Sequence, residues 1–197
     1  MKIKKRIWYV VGTVVAILVG WLILTVYVER EGAAKEWTFG TPGSTHKALI
    51  IFDPDPFYNL DEKVCASFAR ALSENGFQID MQTVAIAERS LPQQYDLFVY
   101  CANTYNWRPD WAIQGFVRSR RETHKGKPIV AITLGAGSTK SSQDSFEQII
   151  ANSNGTLISS YSLWLWRPND ETKPKEPNVE MAVSMAYEWG KSIARQF

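Results

Sequence analysis

The sequence predicts an α/β domain, built on a doubly wound five-stranded parallel sheet, behind one N-terminal transmembrane helix. From residue 47 to residue 197, apolar segments typical of strands alternate with amphipathic segments typical of helices. Buried strands separated by helices favour a parallel sheet that is covered on both faces. The transmembrane helix is predicted from an uncharged apolar run of 22 residues, Ile7 to Val28.

Residues 7–28 are predicted to be a membrane anchor. A helix of this length reaches about 33 Å, enough to cross a hydrocarbon core of about 30 Å. Residues 1–6 form a basic flank, and such flanks stay in the cytoplasm, so we expect a single-pass protein of the cell membrane with its domain extracytoplasmic. A cleaved signal peptide is the alternative, but its apolar region is shorter, about 7–15 residues.

Three small residues, Gly12, Ala16 and Gly20, recur every four positions along the predicted anchor. This spacing lets two transmembrane helices approach closely and predicts a homodimer, although small residues are also common in such helices. Residues 29–46 are rich in Gly, Ala, Ser and Thr and are predicted to be a tether between membrane and domain.

The composition, 45% hydrophobic and 21% charged, is typical of a globular protein. Beyond residue 6 the chain has 18 Lys and Arg, the total of 22 minus the 4 in the flank, against 20 Asp and Glu. The resulting net charge of −2 gives this part of the chain no basic field for nucleic acid, so we expect no such partner.

Each strand of the domain is predicted from its own pattern. Continuous apolar runs indicate strands buried on both faces, and the second strand alternates like an exposed or edge strand. The predicted strands cover residues 47–53, 77–84, 95–102, 127–134 and 155–166.

Helices are predicted between these strands and after the last one. The first repeats an apolar residue every fourth position, with Asn59 as its cap and Glu62 completing a capping box. Gly76 ends that helix, and Pro109 is allowed in the first turn of the next. The predicted helices cover residues 59–75, 109–122, 141–154 and 178–197.

Ligands of such sheets sit beyond the carboxyl ends of the strands, at the switch point of the strand order. Three segments there bear on function: "DPDPFYN" after the first strand, "ANTYNWRPDW" after the third and "GAGSTKSSQ" after the fourth. The order of elements, with "NLDEKVCASFARALSENGFQID", "TYNWRP" and "KPIVAITLGAG", resembles the flavodoxin-like family from Lys47 to Phe197, and in particular its membrane-tethered members.

The resemblance implies a sheet of order 2-1-3-4-5, noncovalently bound FMN and electron transfer. It implies FMN contacts in three loops, the first binding the phosphate and the others embracing the isoalloxazine ring. The matching residues here are Tyr58 and Asn59 in the first loop, Thr104, Tyr105, Asn106 and Trp107 in the second, and Gly135, Ala136, Gly137 and Ser138 in the third.

The first loop departs from the family pattern where the phosphate would lie. Asp53 and Asp55 would face a dianion, and one carboxylate at ~5 Å costs about 3 kcal/mol at an effective dielectric constant of 20. Pro54 and Pro56 also remove two backbone N–H donors. We therefore expect a domain that has lost or altered FMN binding and acts as a ligand- or protein-interaction module, more a binding protein than an enzyme. The alternative is an FMN-dependent electron-transfer protein.

A third hypothesis is a phosphatase of the haloacid-dehalogenase type, with Asp53 as nucleophile and Asp55 as acid/base. Thr133 and Lys140 would supply two further groups, but no downstream acidic pair follows a strand to hold Mg²⁺.

The two histidines and two cysteines are too few and too scattered to predict a zinc site. We expect Cys65 and Cys101 to be buried free thiols, with a disulfide as the alternative.

Overall fold

The computed structural model describes residues 2–89 and 94–197, with side chains from residue 6 onward. The described chain divides into two compact units, Met1–Arg30 and Glu31–Phe197. The second unit therefore begins well before the predicted domain boundary at residue 47.

The first unit consists mainly of one helix. This helix, α1, has 27 residues, Lys2–Val28. Its segment Arg6–Val28 is long and apolar enough to cross a membrane, a test that a signal sequence near an N-terminus also passes. Of the predicted basic flank, residues 1–6, only Arg6 has a side chain among those that the structure describes. The predicted dimer contact through Gly12, Ala16 and Gly20 stays a prediction.

The second unit is built on one mixed sheet. Its five long parallel strands have the predicted order 2-1-3-4-5, and a short strand is added at one side. Each long strand directs alternate residues to opposite faces, as Ile50 and Ile51 do in two separate core clusters. The strands are β1 (Glu36–Phe39), β2 (His46–Phe52), β3 (Phe77–Thr83), β4 (Leu97–Tyr105), β5 (Arg108–Pro109), β6 (Pro128–Gly135) and β7 (Thr156–Trp164).

Helices cover both faces of the sheet, as a doubly wound domain requires. One core cluster contains residues of the first and last domain helices, and the other contains residues of three of the four helices between the second and fifth long strands. The helices are α2 (Leu60–Ser73), α3 (Val84–Ala87), α4 (Trp111–Ser119), α5 (Arg121–His124), α6 (Lys140–Ala151) and α7 (Asn178–Ala194). The single helix predicted over 109–122 is thus two helices.

The predicted tether, residues 29–46, contains a strand of the sheet. β1 pairs antiparallel with β3, with Trp37 opposite Met81. This segment forms a strand because its side chains alternate between two environments, although small residues surround it. Trp37 and Phe39 pack on the core, whereas Glu36 and Thr38 are exposed.

The chain enters the second unit at the end of the sheet where the parallel strands finish. We call this end the carboxyl edge: it comprises residues 31–35, 53–59, 106–107, 136–139 and 165–177. The backbone N–H of Thr83, the last residue of β3, donates to the carbonyl of Lys35, and the N–H of Lys35 donates to Oγ1 of Thr83, both at 3.0 Å. β1 then runs antiparallel towards the opposite end. The N-terminal connection and the candidate ligand loops therefore share one edge.

Cys65 on α2 and Cys101 on β4 are free and fully buried neighbours. Burial, followed by the hydrogen bond with Cys65, raises the pKa of the Cys101 thiol. Because the thiolate is the reactive form, both features make this pair inert.

Thiol titration with an aromatic disulfide reagent checks this pair. We expect the folded protein to react far more slowly than the denatured protein, and denaturant to release two thiols per chain. Fast labelling of the folded chain, or an absence of thiols after denaturation, would contradict the buried dithiol.

Candidate ligand site at the carboxyl edge

The loop after β2 is organised around the carboxylate of Asp55. Its Oδ1 accepts hydrogen bonds from the backbone N–H groups of Phe57, at 2.7 Å, and Tyr58, at 2.8 Å. Its Oδ2 accepts a hydrogen bond from the hydroxyl of Tyr105 at 2.5 Å. Aspartate side chains commonly stabilise turns in this way, by accepting hydrogen bonds from backbone N–H groups a few residues later in the chain. The backbone donors at the tip of the loop are thus occupied by the loop's own anion.

A second carboxylate, Asp61 in the first turn of α2, holds the base of the same loop. Its Oδ2 accepts from the backbone N–H of Asp55 at 2.6 Å and from Nδ2 of Asn103 at 3.0 Å. Its Oδ1 accepts from the backbone N–H of Glu62 at 2.7 Å. Asn59 stands at the cap position but makes no side-chain capping bond, so the predicted capping box does not form.

Asn103 connects the first two loops of the edge. Besides binding Asp61, its Nδ2 donates to the backbone carbonyl of Asp53 at 2.9 Å. Its backbone N–H donates to Oδ2 of Asp110 at 2.9 Å, and Oδ1 of Asp110 caps α4 by accepting from Ile113 at 2.8 Å. One buried amide therefore fixes the loop after β2 against the end of β4.

Asp53 is almost completely buried, with 4% of its surface exposed. Its Oδ1 accepts a hydrogen bond from the backbone N–H of Gly32 at 2.9 Å, so the segment before β1 covers this carboxyl group. Burial raises the pKa of Asp53 to about 6, helped by the charges of Glu31 and Asp61 and opposed by the Gly32 hydrogen bond. Burial likewise raises the pKa of Asp61 to about 6, although its hydrogen bond with Asn103 acts to lower that pKa.

The second loop is a tight hairpin between β4 and β5. Asn106 and Trp107 form its tip with φ values of 49° and 61°, as a two-residue hairpin turn requires. Trp107 is 66% exposed, whereas Tyr105 is tied to Asp55. Thr104 lies beneath them, and its buried hydroxyl has no hydrogen-bond partner within the described part of the chain.

The third loop is paired along its backbone with the chain after β7. The carbonyls of Gly135 and Ala136 accept from the N–H groups of Leu165 and Trp166, both at 2.9 Å. A Cβ on Gly135 would lie 2.7 Å from Cγ2 of Thr139, so this position needs glycine for packing. Of the predicted residues in this loop, Ala136 and Ser138 are exposed and Gly137 is half-buried.

Tyr58 extends the edge towards the chain after β7. It is 46% exposed and meets Trp166 edge to face, with ring centroids 6.4 Å apart. Sequence reasoning missed Trp166 as a site residue because it placed this residue inside the fifth strand. It also missed Asp61, which the pattern assigns to a helix, and Asn103, which lies in the second predicted loop but was not named as a site residue.

The phosphatase hypothesis finds little support in this geometry. Asp55 already accepts three hydrogen bonds, and Asp53 is buried under Gly32. Lys140 pairs with Asp144 on α6. Among the described residues, no group of three or more His, Cys, Asp and Glu side chains is arranged to hold a metal ion.

The solved structures that this chain resembles include flavodoxins and flavodoxin-like proteins. A flavodoxin from the domain Archaea matches 76% of this chain and 97% of its own, with a TM-score of 0.58 and 10% identity. Flavodoxin 1 from Bacillus cereus matches 77% of this chain and 99% of its own, with a TM-score of 0.57 and 14% identity. The chain has a flavodoxin-like fold.

The flavodiiron core of Flv1 from Synechocystis matches 78% of this chain but only 36% of its own, with a TM-score of 0.60 and 13% identity. No protein-family model matches the chain, and no curated protein matches it in sequence. The likeness at these identities concerns the fold, so function rests on the site itself.

Replacing Asp55 by Ala should lower the free energy of unfolding by about 1–3 kcal/mol, because two backbone N–H groups and the Tyr105 hydroxyl lose their acceptor. The matched control is Asp144→Ala, an exposed carboxylate paired on a helix, which should change it by less than about 0.5 kcal/mol. Urea unfolding measures both variants. Equal effects would contradict the organising role of Asp55.

Replacing Asp53 by Asn should change how stability depends on pH. The pKa of an aspartate carboxyl group is ordinarily 3.8, and that of Asp53 in the folded chain is about 6. The contribution of Asp53 to the free energy of unfolding is therefore fully present below pH 3.8 and is lost as the pH rises through 6. Asn cannot ionise, but its side-chain oxygen can still accept the hydrogen bond from the backbone N–H of Gly32.

The free energy of unfolding of Asp53→Asn relative to wild type should therefore rise, by about 1–3 kcal/mol, between pH about 4 and pH about 7. Burial lowers the pKa of His124 to about 4, which gives a contribution of opposite sign that both proteins share. Urea titrations across this range measure the difference, and a difference that stays constant with pH would refute the raised pKa.

Proposed function

We propose that this protein is a membrane-anchored flavodoxin-like domain that has lost FMN binding and acts as a ligand- or protein-interaction module. One observation carries the proposal: Asp55 accepts hydrogen bonds from the N–H groups of Phe57 and Tyr58. A phosphate-binding loop presents such donors to its ligand, at a helix N-terminus or in a nest of backbone N–H groups. Here a covalently attached carboxylate already has that position.

Electrostatics support the same conclusion. A phosphate group brings a charge of about −1.5 to −2 if it ionises as phosphoryl groups on side chains do. It would have to displace the carboxylate of Asp55 from its donors while remaining beside Asp53 and Asp61. The loop offers no replacement donors at Pro54 and Pro56, which lack a backbone N–H.

The anchor is the second part of the proposal. α1 supplies a span of sufficient length and apolarity, and the basic flank of residues 1–6 favours a cytoplasmic N-terminus with the domain on the outer side of the cell membrane. A noncovalent cofactor released on that side would be lost by dilution, so this location also disfavours FMN. Dimerisation through Gly12, Ala16 and Gly20 is part of the same proposal.

An FMN-dependent electron carrier is the second candidate function. It is favoured by the exposed aromatic rings of Tyr58, Trp107 and Trp166 at the carboxyl edge, since aromatic rings can stack on a flavin. It is also favoured by the names of the structural neighbours, which are flavodoxins and a flavodiiron protein.

Visible absorption of the purified full-length chain separates the two candidates. We expect a colourless protein whose melting temperature does not change when FMN is added, because the donors of the loop are occupied. Asp55→Ser releases these donors and should bind FMN more tightly than wild type, whereas Asp144→Ser should behave as wild type. Flavin absorbance that co-elutes with the wild-type protein would establish the electron carrier instead.

A further inference from the structure

The exposed aromatic residues of the second unit are concentrated at one end. Among its described residues, six large hydrophobic side chains are exposed; four belong to the carboxyl edge, and Trp111 begins α4 two residues after β5. Phe197 meets Phe77 at the start of β3, at the opposite end of the sheet. We call the other five the aromatic rim; they are Phe57, Tyr58, Trp107, Trp111 and Trp166.

Two residues of the rim, Phe57 and Tyr58, belong to the loop that contacts the chain where it enters the second unit. Gly32 donates its backbone N–H to Asp53, and a Cβ on Gly32 would lie 2.7 Å from Cδ of Pro54. Phe57 and Tyr58 belong to the same loop as Asp53 and Pro54. The entry point is therefore fixed at the carboxyl edge by a partly buried hydrogen bond and by close packing.

Very little chain separates this fixed point from the apolar helix. α1 ends at Val28, so four residues of backbone lead to Gly32. Fully extended, four residues span at most about 14 Å. If α1 crosses a bilayer, as the proposed function states, Gly32 cannot lie farther than this from the end of the span.

We propose that the carboxyl edge faces the membrane and that the aromatic rim lies in its headgroup region. This inference rests on the proposed membrane anchor. The ligand that the rim recognises is the surface of the bilayer itself. Tryptophan and tyrosine favour this depth because their rings are apolar while their N–H or O–H groups stay hydrated.

The residues that follow the two most exposed tryptophans of the second unit suit the same environment. Arg108 follows Trp107 and Arg167 follows Trp166; both arginines are exposed, and Arg167 pairs with the exposed Glu171 at 2.8 Å. Arginine next to an interfacial aromatic ring can reach lipid phosphate while its stem lies along apolar surface. The carboxylates of Asp53, Asp55 and Asp61, in contrast, are turned inwards to N–H donors.

The short connection also argues against a folded soluble partner as occupant of the rim. A small domain is about 30 Å in diameter. If Gly32 lies within about 14 Å of the membrane, a partner of that size does not fit between the membrane and the loop that binds Gly32.

Fluorescence quenching in liposomes tests the orientation. The full-length chain carries a single introduced cysteine, either Ser138→Cys at the carboxyl edge or Thr45→Cys just before β2 at the opposite end. Native Cys65 and Cys101 are buried, so a maleimide fluorophore attaches to the introduced thiol. Each protein is reconstituted in phosphatidylcholine liposomes with a fraction of lipids that carry a spin-label quencher on the headgroup.

We expect the probe at residue 138 to be quenched at least about twofold more than the probe at residue 45, because a strand of seven residues separates the two ends by about 23 Å. Equal quenching, or stronger quenching at residue 45, would overturn the inference. Flotation of the liposomes is measured on the same samples. A chain that does not float with the lipid refutes the proposed anchor, whereas a chain that floats with equal quenching refutes only the orientation.

A second variant tests the rim rather than the short connection. Trp107→Ser and Trp166→Ser together should reduce quenching of the probe at residue 138 towards that of the probe at residue 45, while flotation persists through α1. The control is Phe197→Ser, an exposed aromatic residue away from the edge, which should leave quenching unchanged. Unchanged quenching in the double variant would overturn the role of the rim.

Discussion

The carboxylate of Asp55 is the group on which the architecture of the candidate site depends. It closes the loop after β2 by binding two backbone N–H groups, and it reaches across the edge to the hydroxyl of Tyr105. Burial and this hydrogen bond raise the pKa of Tyr105, which keeps its hydroxyl protonated as a donor. The loop is thus complete without a ligand, although it occupies the place where a flavodoxin-like sheet ordinarily holds one.

Two deeper carboxylates support this arrangement and connect it with the N-terminal segment. Asp61 and Asn103 fix the loop to β4, and Asp53 receives the backbone N–H of Gly32. Burying these acids costs free energy, which their hydrogen bonds offset only in part, as their raised pKa values indicate. The same contacts that occupy the loop therefore also hold the start of the domain at the carboxyl edge.

Much of the fold could be predicted from sequence, because buried parallel strands such as β2 and β6 are continuous apolar runs and turns interrupt them clearly. β1 could not, since Trp37 and Phe39 are set among residues typical of a linker. The loops that follow β2, β4 and β6 could also be predicted, because each comes directly after an apolar run, and Asp53 and Asp55 lie in the first of them. The roles of Asp61 and Asn103 were missed because they depend on contacts between residues 42 positions apart, which no local pattern reveals.

The carboxylate of Asp55 accepts hydrogen bonds from the backbone N–H groups of Phe57 and Tyr58, which a bound phosphate would need as donors. Backbone amide NMR signals of Phe57 and Tyr58, recorded on the full-length protein in lipid nanodiscs during a titration with FMN, test it most directly. The account predicts that both signals keep their positions throughout the titration. Saturable shifts of these two amides on adding FMN would contradict it, because they would place a phosphate where Asp55 now binds.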